Sequence, residues 1–287
     1  MISSARMVLS LSVVVVATLV GMPIQAVLLK VLPRGAEKLP VVWHRFVLKM
    51  FGIKVIIHGE PSSEHPLLLV ANHTSWKDII VLGSSMPLSF IAKSDMKSWP
   101  LIGQMARLQR TIFVEREQRR KTGQQASQIA ERLGNGDRIV LFAEGTTSDG
   151  NKILPFNSSL LGAAQLAIRT SGKSSVFIQP VAIAYTKMHG VALGRYFRPE
   201  AAWPGDVPLA SHVIHIVKQG ALDVELHFGR PIAFDVSSNR KAITRQVEAE
   251  VRRMLNSSLR GQGHLISHDT EPKLITHEQQ AGYANHN

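Results

Sequence analysis

A histidine and an aspartate stand five positions apart in the segment Asn72-His73-Thr74-Ser75-Trp76-Lys77-Asp78. Neutral imidazole is a good general base near pH 7. A carboxylate within hydrogen-bond reach fixes its tautomer and stabilises the imidazolium formed when a proton is taken. His73 and Asp78 could therefore activate an oxygen nucleophile, supplied by the protein or by a substrate. The chain contains no Gly-x-Ser-x-Gly elbow and no cysteine, so a substrate hydroxyl is the expected nucleophile. As a bare spacing, the pair equally fits a helix cap or two surface residues. The twelve histidines are scattered and no His-Glu-x-x-His occurs, so neither a metal nor a cofactor is expected.

The elements around the pair favour chemistry. Pro66–Ala71 is an apolar run bounded by turn residues, which predicts a buried strand ending just before His73. A helix is predicted over Trp76–Ser85, with Asp78 in its opening turn. Catalytic groups in such sheets favour the carboxyl ends of strands. Further strands are predicted at Lys54–His58, Ser89–Lys93, Thr111–Val114, Ile139–Ala143, Val176–Tyr185 and Val224–Phe228. Helical patterns cover Gln118–Leu133, Ser158–Ile168 and Arg240–Ser258. Strands alternating with helices imply an α/β fold, with a mixed, mainly parallel sheet flanked by helices.

The chain of 287 residues carries a net charge of +12, which calls for an acidic partner. Nucleic acid, an anionic membrane surface and an acidic carrier protein all qualify. The positive charge is interspersed with acids, aromatics are only 6%, and no nucleic-acid motif occurs, so nucleic acid is not expected. From Met7 to Leu29 there is no charged residue, and about 20 apolar residues suffice to cross a bilayer core. A signal peptide is the rival reading, but no small-residue cleavage site follows. Lys30, Arg34 and Lys38 follow the run, and the positive-inside rule then puts the next domain on the cytoplasmic face of the inner membrane. Residues 40–57 predict an amphipathic helix running into a strand. Its Trp43, Phe46, Lys49 and Lys54 suit a membrane surface, the alternative being an ordinary helix packed on the core. The expected organisation is an anchor at 1–38, a catalytic domain at 39–260 and a disordered polar tail at 261–287.

The His73 segment resembles the Asn-His-x-x-x-x-Asp block of the glycerolipid acyltransferases, the family containing 1-acylglycerol-3-phosphate acyltransferase. Three further blocks follow in order. Arg110-Thr111-Ile112-Phe113-Val114-Glu115-Arg116 is similar to the second, Phe142-Ala143-Glu144-Gly145-Thr146-Thr147-Ser148 to the third, and Gln179-Pro180-Val181-Ala182-Ile183 to the fourth. The resemblance implies catalysis by His73 and Asp78, and substrate binding through Asn72, Arg110, Arg116, Glu144, Gly145, Thr146 and Thr147. Arg116 would bind the acceptor's phosphate, and the backbone amides of Gly145 and Thr146 are further anion ligands. Glu144 would order its loop or hold a head-group hydroxyl. The implied partners are an acyl donor, acyl carrier protein or coenzyme A, together with a lysolipid acceptor and membrane lipids.

Two positions depart from the family pattern. Thr147 stands where arginine is usual, and Arg110 where glycine often is. A lost guanidinium removes a bidentate phosphate partner. Either Arg110 replaces that charge or the acceptor is not a phosphate monoester. The stretch from Gly194 to Pro199 and Trp203-Pro204-Gly205-Asp206 resembles a bacterial subgroup that includes both lysophosphatidate acyltransferases and ornithine-lipid acyltransferases. 1-Acyl-sn-glycerol-3-phosphate, the family's commonest acceptor, ranks first, giving phosphatidic acid for phospholipid synthesis. Lyso-ornithine lipid is second, and a non-enzymatic basic membrane-surface protein is a distant third. Between Lys93 and Lys121 there are eight basic residues against three acidic ones. That bias suits an acidic carrier, coenzyme A or anionic head groups. Replacing Arg116 by alanine is expected to raise the acceptor KM while leaving kcat nearly unchanged, if the guanidinium binds ground and transition states alike. Steady-state kinetics with varied acceptor would show this, and an unchanged KM removes Arg116 from the site.

Overall fold

A computed structural model of the chain describes residues 4–115, 122–171, 174–204, 207–265 and 273–274. The uncharged amino-terminal run forms one 28-residue helix, α1 (Ser4–Val31), with Pro23 inside it. The polar pattern of α1 is inverted relative to that of a helix in water. Ser10, Val14, Thr18 and Gln25 are buried, while Leu9, Val16, Leu19, Val20, Ile24 and Val27 are exposed. Polar groups facing hydrocarbon would lack partners, and these face protein instead. The Thr18 hydroxyl donates to the Val14 carbonyl (2.7 Å) and accepts from Trp43 Nε1 (3.0 Å). Gln25 Nε2 donates to the carbonyls of Ala36 (2.9 Å) and Leu108 (3.1 Å).

After a short α2 (Pro33–Ala36), α3 (Lys38–Met50) buries Val41, His44, Val47 and Leu48, a stripe at helical spacing. It leads into β1 (Ile53–His58) and, across a loop, β2 (Leu67–Ala71). Every residue of β2 is buried, as an apolar run in the middle of a covered sheet should be. There follow α4 (Lys77–Gly83), β3 (Ser89–Lys93), α5 (Ile102–Leu108), β4 (Ile112–Val114), α6 (Thr122–Gly134), β5 (Ile139–Phe142), α7 (Gly162–Ser171) and the long β6 (Ser175–Met188). The chain continues through β7 (Val191–Ala192), α8 (Arg198–Ala201), α9 (Leu209–Gln219), β8 (Leu222–Phe228), β9 (Ile232–Asp235), α10 (Arg240–Leu259) and β10 (Lys273–Leu274).

The described strands form one mixed sheet of order β10-β1-β8-β6-β2-β5-β3-β4, with β7 and β9 paired to β6. Strands β6, β2, β5, β3 and β4 run parallel to one another. β8 is antiparallel to β6, and β1 is parallel to β8. Although β8 runs against β2, its last residue, Phe228, is level with the last residue of β2, Ala71, because both pair with Val181 of β6. Helices cover both faces. Val47, Leu48, Val81, Leu82 and Val217 pack on one face, with Met7 and Leu11 of α1 beside them. Ile129, Leu133, Ala164, Ile168, Val247 and Val251 pack on the other.

The expected α/β architecture is the observed one. The helix expected from Ser158 begins as a 3-10 turn at Ser158–Leu161 and continues as α7. Residues 116–121, which include the first turn of the expected Gln118–Leu133 helix, lie outside the described residues. In the expected tail, Gly263–Leu265 form a 3-10 turn after α10, and Lys273–Leu274 pair with Ile56 and Ile57 of β1. Residues 266–272 and 275–287 lie outside the described residues.

Gly83 of α4 lies directly against His44 of α3. A Cβ there would stand 1.9 Å from His44 Nδ1, and burial holds the His44 imidazole down to about 4, hence neutral. Gly83→Ala is expected to lower stability by about 1–3 kcal/mol, the usual cost of overpacking. A second change, His44→Ala, should recover part of the loss. Thermal melts of the two variants and the double variant would measure the coupling.

Candidate active site

Asp78 is fully buried in the opening turn of α4. Its Oδ2 accepts from the backbone N–H groups of Thr74 (2.6 Å) and Ser75 (2.9 Å) and lies 2.8 Å from His73 Nδ1. Its Oδ1 accepts from the Tyr185 hydroxyl at 2.7 Å. With Nδ1 donating to the carboxylate, Nε2 carries the lone pair and is the nitrogen able to take a proton. The imidazole stacks on the Phe142 ring, centroids 4.0 Å apart and planes 17° apart, and its side chain stays 20% exposed. The ring is thus clamped on one face and oriented through Nδ1, yet reachable.

The backbone of His73 is held as firmly as its side chain. Its N–H donates to Glu144 Oε1 (2.7 Å), and its carbonyl accepts from the N–H of Ser148 (2.8 Å). Glu144 Oε2 accepts from the N–H of Leu154 (2.8 Å). His73 follows the carboxyl end of β2 and Glu144 that of β5, which are neighbouring parallel strands. The loop 144–148 is therefore stitched to the histidine. Of the two roles expected for Glu144, the geometry gives the ordering of the loop. Burial pushes its carboxyl up to about 7, against the two N–H donors that pull it down.

The structure gives three of the expected substrate ligands roles in the scaffold. Asn72 is 1% exposed; its Nδ2 donates to the Ile183 carbonyl (3.0 Å) and its Oδ1 accepts from the Ile183 N–H (2.8 Å). It fastens β2 to β6 and is spent on the scaffold. The Gly145 N–H donates to the Phe142 carbonyl (3.2 Å) inside the turn that its φ of +73° permits. It is not aimed at an anion. Arg110 precedes β4 and pairs with Asp137 (3.2 Å), which precedes β5, and with Glu37 (3.5 Å). Both acids' neighbour thus sits at the amino ends of the parallel strands, the end opposite to His73, in a cavity beneath α1 that Gln25 and Leu108 also line. It cannot replace the guanidinium missing at Thr147. Thr146 is exposed and Thr147 half-buried on the loop beside His73. Arg116 lies outside the described residues.

The pattern of the sequence missed two residues of the site. Tyr185 lies in the apolar run of β6, where a lone hydroxyl within buried residues is the available signal. Lys77 is fully buried next to Asp78; its Nζ donates to Ser75 Oγ (2.7 Å) and the Ala201 carbonyl (2.7 Å) and stands 5.0 Å from the centre of the Tyr185 ring. Burial lowers it to about 7, with Asp78 pulling the other way. Ala201 belongs to the 194–204 stretch, which docks on the same loop through the Trp203 N–H and the Thr74 carbonyl (2.8 Å).

Residues 54–184 match the Acyltransferase protein family. Over 261 residues the chain is 49% identical to a lyso-ornithine lipid O-acyltransferase of Brucella abortus, which covers 91% of this chain and 98% of that protein. The chain belongs to the acyltransferase family. A lyso-ornithine lipid O-acyltransferase of Rhizobium meliloti is 47% identical over 261 residues, 91% of this chain and 89% of that one. A 1-acyl-sn-glycerol-3-phosphate acyltransferase of Neisseria gonorrhoeae is 34% identical over 196 residues, 68% and 72% of the two chains. The crystal structure of the 1-acyl-sn-glycerophosphate acyltransferase of Thermotoga maritima shares the fold, with a TM-score of 0.50 at 22% identity over 85% of this chain and 95% of that one. As an O-acyltransferase, the chain uses an acyl donor and a lysolipid acceptor.

His73→Ala is expected to abolish acyl transfer with little change in melting temperature, because the imidazole makes one hydrogen bond and one stacking contact. Asp78→Asn should abolish transfer and also cost stability, about 1–3 kcal/mol for each donor left unsatisfied. Turnover and thermal melts on both variants check the contrast.

Proposed function

We propose that this acyltransferase moves an acyl chain from a thioester to the hydroxyl of lyso-ornithine lipid, giving ornithine lipid. The observation that carries this is the near end-to-end likeness to two lyso-ornithine lipid O-acyltransferases. Lysophosphatidate, ranked first on motifs alone, is the weaker reading, because the 1-acyl-sn-glycerol-3-phosphate relative is more distant and matches less of the chain. Thr147 supports the same acceptor. A phosphate monoester carries up to two negative charges that bidentate guanidinium groups suit. An ornithine head group carries one carboxylate and a compensating ammonium, so a loop with one guanidinium fewer loses little.

His73 Nε2 takes the proton of the acceptor hydroxyl as its oxygen attacks the thioester carbonyl carbon. The imidazolium formed is stabilised by the buried Asp78 carboxylate at 2.8 Å. The tetrahedral intermediate collapses, the C–S bond breaks, and the proton passes from His73 to the leaving thiolate. No acyl-enzyme is required. Holding donor and acceptor together contributes much of the rate, and effective molarity alone supplies about 7–11 kcal/mol in well-oriented systems. Thr146, Thr147 and Arg116 are the head-group candidates that remain. The donor is acyl carrier protein or coenzyme A, either of which suits the basic stretch from Lys93 to Lys121. The exposed apolar side of α1 enters the inner membrane from its cytoplasmic face, with Lys30, Arg34 and Lys38 at the head groups.

Membranes containing the protein, given labelled acyl carrier protein and, separately, labelled acyl-coenzyme A, are expected to label ornithine lipid when lyso-ornithine lipid is supplied. Labelled phosphatidic acid from lysophosphatidate, with no labelled ornithine lipid, would overturn the assignment.

A further inference from the structure

His58, Glu225 and His227 meet on the face of the sheet that α10 covers, where Ser258 touches His227, whereas Tyr185 of the catalytic site packs on the other face. His58 closes β1, and His227 is its register partner on β8. Glu225 lies two residues before His227, hence on the same face of the strand. Both histidines are buried, at 4% and 1% exposure. His58 Nδ1 has no hydrogen-bond partner, and Nε2 has only the Glu225 carboxylate at 3.3 Å, in poor alignment. A buried imidazole with one nitrogen unpartnered and the other poorly paired is costly to keep, and the acyl-transfer chemistry makes no use of it.

The spacing fits a metal ion. Glu225 Oε2 lies 3.3 Å from His58 Nε2 and 3.4 Å from His227 Nε2. Zinc bonds to imidazole and carboxylate are about 2.0–2.2 Å long. In a tetrahedron such bonds set neighbouring ligand atoms about 3.3–3.5 Å apart. One ligand atom from each of the three residues falls within 4.8 Å of the others, and this is the one such group of three or more among the described residues. We propose that His58, Glu225 and His227 form a binding site for a divalent transition ion, with zinc the ion best matched to two imidazoles and a carboxylate.

The two rings stack, centroids 4.2 Å apart and planes 8° apart. Lone pairs in parallel planes do not converge, so one ring must tilt to admit the ion. His58, held only by its contact with Glu225 whereas His227 is also bonded to Ser258, is the ring freer to do so. Ser258 Oγ lies 2.5 Å from His227 Nε2, and on metal binding it yields that nitrogen. A water or this hydroxyl completes the four ligands. Gly263 closes the site, because a Cβ there would stand 2.0 Å from Glu225 Oε2 and 3.1 Å from Ser258 Oγ. The ion would thus tie β1 to β8 beneath α10. Its ligands come from separate strands, so no local spacing in the sequence announces them. The proposal departs from the expectation of no metal ligands and involves neither residue of the catalytic pair.

The test uses the full chain, purified in detergent and stripped with EDTA. Zinc chloride titrated in a calorimeter, with metal content measured after desalting, should give one tightly held ion per chain and a raised melting temperature. His58→Gln and Glu225→Gln should each weaken binding at least tenfold while acyl transfer persists. Cobalt(II) in the wild-type protein should give the intense visible bands of a tetrahedral site, a readout that needs no variant to fold. Wild-type protein that retains no zinc, weak octahedral cobalt bands, or uptake unchanged in both folded variants would each overturn the proposal.

Discussion

The structure around the reactive histidine depends on one buried carboxylate. Asp78 has no exposed surface, and an anion removed from water must recover its solvation from the protein. It does so through four donors: two backbone N–H groups, a phenol and an imidazole. The same four bonds fold the loop after β2, select the tautomer of His73 and bring β6 into the site through Tyr185. Glu144 repeats the device one strand away. Its two oxygens take the N–H groups of His73 and Leu154, so the loop after β5 cannot move independently of the histidine.

What the sequence reveals follows from how local each feature is. His73 and Asp78 are legible because a buried strand ends and a helix begins within one short segment. The strands Ser89–Lys93 and Ile139–Phe142 are legible as apolar runs between turn residues. The helices Ile102–Leu108 and Leu209–Gln219 are not, because the first is short and the second mixes His, Ser and Lys into its pattern. Strand Ile232–Asp235 exists through its pairing with the first half of β6, about 55 residues back in the chain. Tyr185 meets Asp78 across 107 residues, a contact that no window along the chain contains. Arg110 shows the opposite error. It sits in the right motif, but a residue before a strand and one after it belong to different ends of the sheet.

The 194–204 stretch links the site to the subgroup of the family. Arg198 donates to Asn151 Oδ1 (2.6 Å) and to the Leu193 carbonyl (2.9 Å), while Lys77 and Thr74 hold Ala201 and Trp203. A segment outside the four blocks therefore shapes the wall next to the catalytic loop. Residues that distinguish one acceptor from another need not lie in the motifs that mark the chemistry.

The inward polar stripe of α1 has a consequence for how this enzyme can be re-engineered. An anchor whose only duty is adhesion to lipid could be exchanged for any greasy helix. Here Thr18 and Gln25 plug α1 into α3, α2 and α5, so a generic leucine helix grafted in its place would keep the exposed apolar side while leaving the indole of Trp43 and two carbonyls without their partners. The apolar surface and the polar plug are coded on opposite sides of the same helix.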